Sequence, residues 1–246
     1  MSLPTPYYQS PGAEVVIYHA DCLEILPLME AGSVSAVVTD PPYLIGASSV
    51  GDSLAKSGNW PDMMNAARWY ALWYEAAAKK LDDRGFLLTF GNWRSMPTYL
   101  CAFARCELQV ASCMVWDKAW IGPAGPRQLR PCYELILFAA MPKARLANRS
   151  AKDICTFQWM AGNSKTTEHP AEKPVNLLAH LVRLVSKKGA TVLDPFLGSG
   201  TTAVACVRLG RKCIGIEIEE NYCRIAAERV EKELAQLKLG LEHGDG

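Results

Sequence analysis

The chain has 246 residues, 50% of them apolar and 21% charged, with a formal net charge of +1. These values exclude a largely disordered chain and leave ample material for a buried core in one domain spanning residues 1–246. No apolar run reaches membrane-spanning length, and the nine cysteines are scattered, with no CxxC pair and only four histidines beside them, so reduced, mostly buried thiols and no metal are expected.

The first dozen residues, MSLPTPYYQSPG, have no basic start and no apolar segment, which predicts a cytoplasmic protein without a secretory signal. Residues 14–19, EVVIYH, read as a strand, followed by a short helix over CLEILPLM that Pro27 limits. The β-branched run SVSAVVT at 33–39 predicts a buried strand ending abruptly at Asp40, Pro41, Pro42 and Tyr43. Residues 44–60 are small, polar and glycine-rich, as in a mobile loop. Asp62 is expected to open a helix through Lys80, whose one-turn pairs Trp69/Trp73 and Tyr70/Tyr74 are read as core packing.

A buried strand is predicted at 85–91, then a helix to Arg105. Apolar runs at 108–116 and 133–140 flank the connection IGPAGPRQLRP and are expected to pair antiparallel. Residues 141–168 show no clear periodicity. A helix over 175–188 leads into a strand from Thr191. The total is about seven strands interleaved with helices, an α/β sandwich with ligands at the carboxyl ends of its strands.

Charge is unevenly spread. Between Lys118 and Lys165 eight Lys or Arg oppose Glu134 and Asp153, whereas residues 214–246 hold eight acids against four bases. The basic stretch suggests a polyanion held on one face, the alternative being a solvated loop.

The stretch VLDPFLGSGTT at 192–202 reads as a strand, a glycine turn and a helix, with Gly198 and Gly200 permitting the turn and Thr201 and Thr202 placed to cap the helix. A second apolar run, CIGIE, ends in Glu217, nineteen residues after Gly198, the place where an acid meets the ribose hydroxyls of an adenosine-bearing cofactor. Gly198, Gly200 and Ala203 also fit the loose dinucleotide fingerprint. Only 29 residues follow Glu217, however, so the rest of the sheet must precede the cofactor loop.

Asp40-Pro41-Pro42-Tyr43 brings two acceptors and an aromatic face to one stiff turn. If the Asp40 carboxylate and the Pro41 carbonyl each accept one N–H of a nucleobase amine, the nitrogen lone pair is freed for attack on an electrophile. Tyr43 would stack on a base flipped from the duplex.

TDPPY at 39–43 together with DPFLGSGTT at 194–202 resembles the β class of amino-group DNA methyltransferases, in which the DPPY motif comes first, target recognition follows and the cofactor motif lies near the C-terminus. The resemblance spans about residues 14–235. It implies a Rossmann-like class I methyltransferase fold with a seven-stranded, mostly parallel sheet, one antiparallel strand at 133–140 and a circularly permuted motif order. It implies S-adenosyl-L-methionine as cofactor, bound by Asp21, Asp40, Lys173, Pro174, Asp194, Phe196, Gly198, Ser199, Gly200, Thr201, Thr202 and Glu217, with Asp40 to Tyr43 catalytic. Asp21 fits the acid that contacts the cofactor adenine and equally fits a helix N-cap, while His169 is read as structural. Asp at position 40 favours adenine over cytosine as the target.

Target recognition is expected at about 118–168, with Arg127, Arg130, Lys143, Arg145, Arg149 and Lys152 contacting double-stranded DNA, and the 44–60 loop closing over the target base or serving only as a connection. The short recognition region, with no separate DNA-binding domain, leads to the expectation of a homodimer on a palindromic site. A cytosine-N4 enzyme, a methyltransferase for RNA or a small molecule, and a catalytically silent DNA-binding module are the competing readings.

Overall fold

The structure is a computed structural model and describes residues 2–43, 60–106, 108–127, 129–159 and 172–242. The expected loop at 44–60 lies outside them except for Trp60, as do His169 and residues 160–168 of the expected recognition region.

In chain order the strands are β1 (Tyr8–Gln9), β2 (Val15–His19), β3 (Val34–Thr39), β4 (Leu81–Gly91), β5 (Gln109–Asp117), β6 (Tyr133–Ala140), β7 (Ile154–Thr156), β8 (Thr191–Asp194) and β9 (Lys212–Glu217). The helices are α1 (Cys22–Ile25), α2 (Trp60–Ala78), α3 (Met96–Phe103), α4 (Val175–Val185), α5 (Thr201–Leu209) and α6 (Glu220–Glu242). Pro27 falls in a single 3-10 turn, Leu26–Leu28, that ends the α1 segment. Helix α2 starts two residues before Asp62, with Pro61 in its first turn, where a missing N–H costs nothing.

One sheet runs in the order β1-β2-β9-β8-β3-β4-β6-β5-β7. Among the described residues it has nine strands where seven were expected. The two additions are edge strands, β1 antiparallel on β2 and β7 parallel on β5. At two and three residues they are too short for a period-2 pattern to reveal them. Strand β6 is the expected reversed strand, antiparallel to both β4 and β5, so together with β1 the sheet has two reversed strands rather than one.

Alternation along the strands divides the core into two layers. Ala36 and Val38 face the layer of α4, α5 and α6, with Leu181, Ala205 and Ala226. Val37, between them, faces α1, α2 and α3. Tyr70, Trp73 and Tyr74 of α2 are fully buried in that second layer, which makes the aromatic stripe core as expected. The nine cysteines are free, and five of them are buried. No helix among the described residues is long and apolar enough to cross a membrane.

Register fixes what meets at one edge. Thr39 pairs with Thr89, Asp194 with Gly215, and His19 with Glu217, so the carboxyl ends of β2, β9, β8, β3 and β4 form a common rim. Because β6 runs backwards, its amino end joins that rim, with Leu135 opposite Gly91.

Candidate active site

The two motifs meet at this rim. Thr39, the last residue of β3, donates its hydroxyl to Asp194 Oδ1 at 2.6 Å, and the same oxygen accepts Phe196 N–H at 3.1 Å. Thr202 adds a further hydrogen bond to the Asp194 carboxylate. Burial raises the Asp194 pKa to about 6 against these three bonds, and the negative charge of Asp40 adds to the rise.

The glycine turn follows. Gly198 and Gly200 have φ of +53° and +83°, and a Cβ on Gly200 would lie 2.7 Å from the Ala226 side chain, so only glycine fits there. Gly200 itself caps α5, without a side-chain cap bond, which corrects the expected capping role of Thr201 and Thr202. Their hydroxyls turn inward instead: Thr201 Oγ1 accepts from Arg229 at 3.1 Å. Arg229, on α6, also reaches the Ser199 carbonyl at 2.7 Å, Ser199 Oγ at 3.0 Å and the fully buried Glu172 at 2.9 Å. Phe196 packs between Trp69 and Trp73, with ring centroids 5.5 and 5.1 Å away.

Glu217, at the tip of β9, accepts Gly198 N–H on one oxygen at 2.7 Å and Glu219 N–H on the other at 2.9 Å. Burial raises its pKa despite these bonds. The carboxylate keeps acceptor capacity for a further donor such as a ribose hydroxyl. Asp21 accepts Leu23 N–H at 2.8 Å and so is the N-cap of α1. Ala20, beside it, bonds to the Glu217 carbonyl at 3.0 Å, which brings the two acids to neighbouring strand tips. Glycine turn, paired acids and the Phe196 wall form a cradle that fits an adenosine-bearing cofactor.

The Asp40 turn is braced from α2, where the Tyr70 hydroxyl donates to the Pro42 carbonyl at 2.8 Å. Lys173, which the resemblance assigns together with Asp40 to cofactor binding, sits beside that acid. Its ammonium pairs with Asp40 Oδ2 and stands 3.4 Å from Glu134 Oε2, over the rings of Phe90 and Tyr43. Pro174, next to it, is the N-cap of α4. Burial works against the Lys173 charge, but Asp40 and Glu134 outweigh it and raise its pKa. Burial raises the Asp40 pKa, with Glu134 reinforcing the rise and Lys173 opposing it. The other carboxylate oxygen, Asp40 Oδ1, is buried with no hydrogen-bond partner among the described residues.

Glu134 and Lys118 belong to this group, although in the sequence they register only as two charges in a basic stretch. Glu134 Oε2 accepts the Tyr43 hydroxyl at 3.1 Å and Oε1 pairs with Lys118 at 2.5 Å. Burial alone would raise the Glu134 pKa, but Lys173 and Lys118 bring it below the usual carboxylate value.

The basic stretch is not one face. Arg127 and Arg130 lie on the exposed β5–β6 connection at the site rim, where Arg130 bonds to the Gly122 and Ile121 carbonyls. Lys143 and Arg145 follow the far end of β6, at the opposite edge of the sheet. Lys143 pairs with Asp83 at 2.9 Å, and Arg145 bonds to the Ala144 carbonyl at 2.6 Å. Arg149 and Lys152 are exposed on the segment climbing from that edge to β7. Among the described residues no group of His, Cys, Asp and Glu is arranged to hold a metal.

Comparison with known proteins agrees with this geometry. The family model described as DNA methylase (N6/N4 methyltransferase) matches residues 34–228. The Type II methyltransferase M2.DpnII of Streptococcus pneumoniae is 27% identical over 255 residues, covering 93% of each chain. The putative methylase YubD of Escherichia coli (strain K12) is 28% identical over 225 residues, covering 91% of this chain and 92% of that protein. Among solved structures, the PvuII DNA methyltransferase (cytosine-N4-specific) has a TM-score of 0.75 at 18% identity over 93% of this chain and 92% of its own, a likeness of fold. M1.HpyAVI in its complex with S-adenosylmethionine has a TM-score of 0.68 at 26% identity, over 88% of this chain and 98% of its own. With its acid-proline turn and glycine cradle at one rim, this chain belongs to the N6/N4 family of DNA methylases, amino-group DNA methyltransferases that use S-adenosylmethionine.

Proposed function

We propose that the protein methylates the N6 amine of adenine in duplex DNA, after flipping the base, with Asp40 as the group that receives the amine. The observation that carries this reading is Asp40 Oδ1, a buried acceptor with no hydrogen-bond donor placed on it among the described residues. A buried carboxylate oxygen in that state is costly until a donor arrives, and the amine of a flipped base brings one.

S-adenosylmethionine supplies an electrophilic methyl group on a sulfonium when bound. Asp40 Oδ1 and the Pro41 carbonyl each accept one N–H, which draws the amine nitrogen toward a tetrahedral shape and directs its lone pair outward. Lys173 holds Asp40 Oδ2 and so fixes the plane of the carboxylate. As the N–C bond would form and the methyl–sulfur bond break, with its electron pair left on sulfur, nitrogen must shed a proton, and Oδ1 is the acceptor beside it. Tyr43 supplies the aromatic face for the base. The tips of β8 and β9, with Asp194, Phe196, Ser199 and Glu217, and the Asp21 turn hold the cofactor.

Adenine as target rests on the resemblance, in which Asp at position 40 favours it. Cytosine N4 is the second reading, since the amine chemistry is common to both and a cytosine-N4 enzyme shares the fold. Incubating the protein with mixed-sequence duplex DNA and labelled S-adenosylmethionine, then digesting to nucleosides and weighing the labelled species, separates them. Labelled methyladenosine is expected. Labelled methylcytidine would move the assignment to cytosine, and no label would overturn the reading.

A homodimer on a palindromic site is also proposed, from the shortness of the expected recognition region at about 118–168. A monomer on DNA by light scattering would overturn it.

A further inference from the structure

We infer that Glu134 is a positioning residue for methyl transfer: it holds Lys173 and Tyr43 in place so that Asp40 keeps one oxygen free for the target amine. This rests on the reading of Asp40 given above.

Three donors converge on this one side chain. Lys118 lies at 2.5 Å on Oε1, with the Tyr43 hydroxyl at 3.1 Å and Lys173 at 3.4 Å on Oε2. The side chains of Lys173, Glu134 and Lys118 are only 6%, 12% and 14% exposed. Two ammonium groups and the carboxylates of Asp40 and Glu134 leave the cluster neutral, a condition for burying four charges together. Lys118 lies over the Trp159 ring at 4.5 Å and Lys173 over the Phe90 ring at 5.0 Å, so aromatic faces enclose both cations.

Stability is a weak reason to keep such a group, because well-packed apolar residues usually serve a core as well or better. Position gives the stronger reason. Glu134 is the second residue of reversed strand β6, and only that reversal brings it to the rim where β3 delivers Asp40. Lys173 is shared between two carboxylates, closer to Asp40 Oδ2 than to Glu134 Oε2, so Glu134 helps to keep the ammonium on the Oδ2 side and Oδ1 stays open. Tyr43, whose ring is to meet the base, has its hydroxyl anchored by the same carboxylate.

The test is single-turnover methylation of duplex DNA as a function of pH, with cofactor affinity and melting temperature measured on the same variants. The charged or titratable groups facing Glu134 are Lys118 from β5, Lys173 from the segment before α4, and Asp40 and Tyr43 after β3. Tyr99 of α3 lies behind Tyr43. Glu134→Gln removes the like charge that raises Asp40 and one of the two charges that raise Lys173. Both limbs of the profile should therefore move to lower pH, with the rate down about tenfold or more and cofactor affinity within about twofold. Glu134→Asp should keep the limbs in place. Lys118→Met removes a cation and should move both limbs to higher pH, the opposite sign, which a scaffolding role would not produce.

Unmoved limbs in both variants, or a rate loss that follows the unfolded fraction alone, would overturn the inference. Turnover surviving Asp40→Ala would instead overturn the reading beneath it.

Discussion

Thr39 donates a hydrogen bond from its hydroxyl to the Asp194 carboxylate across 2.6 Å, joining the tip of the strand that carries the acid-proline turn to the tip of the strand that carries the glycine turn. The residues are 155 positions apart in the chain. That bond sets the spacing between the two halves of the site, and it lies on an acid whose pKa burial has raised to about 6.

The raised value gives a pH prediction. Asp194 is 2% exposed, and its folded pKa stands above the unfolded value of 3.8. Its contribution to stability is therefore complete below about pH 4 and is lost as the pH rises through about 6. Asp194→Asn should be more stable than the parent at pH 7.5, by on the order of 2 kcal/mol, with the difference vanishing at pH 4. Urea unfolding at the two pH values checks this. The same variant should bind S-adenosylmethionine more weakly, a sacrifice of stability for function in the parent.

Asp40→Ala removes the proposed amine acceptor while Lys173 keeps Glu134 as a partner. Transfer should fall by about a thousandfold or more, with cofactor affinity changed only a few-fold by calorimetry. Thr39→Val, which deletes one bond to Asp194 and keeps the volume, should do the reverse. It weakens cofactor binding and costs about 1–3 kcal/mol of stability.

Arg229 should act through Glu172. Arg229→Met breaks the ties to Ser199 and Thr201 and removes an ion-pair partner of Glu172, whose side chain is fully buried. The expected loss is about 3–5 kcal/mol. Adding Glu172→Gln should recover much of the stability and little of the cofactor affinity, because the glycine turn remains untied. A double-mutant cycle read by denaturation and by calorimetry separates the two effects.

For DNA the rim and the far edge should differ. Arg127→Ala should weaken duplex binding and lower the slope of log K against log salt by about one. Lys143→Ala should change neither, since Lys143 pairs with Asp83 at the opposite edge of the sheet. Titrations at several salt concentrations measure both slopes.

Much of this fold was legible in the chain because strands and turns are written in adjacent residues. The β-branched run before Asp40, the glycines at 198 and 200 and the apolar runs at 108–116 and 133–140 announce backbone states that depend on neighbours a few positions away. The order of the two motifs is read directly from their positions, Asp40 to Tyr43 before Asp194 to Thr202.

Side-chain partners are another matter. Whether Glu134 is one charge in a basic stretch or the acceptor for Tyr43, 91 residues away, depends on β6 running backwards beside β4. Lys173 is a cofactor ligand by motif and the partner of Asp40 by register. Lys143 and Lys118 look alike in sequence, yet one is exposed beside Asp83 and the other is buried beneath Trp159. The sequence by itself determined the seven longer strands, the two turns and the order in which they come, because local sterics and hydrophobic period select them. Only the tertiary structure decided which charges face one another, because electrostatic pairing depends on distance and burial, and both arise when distant strands close into one sheet.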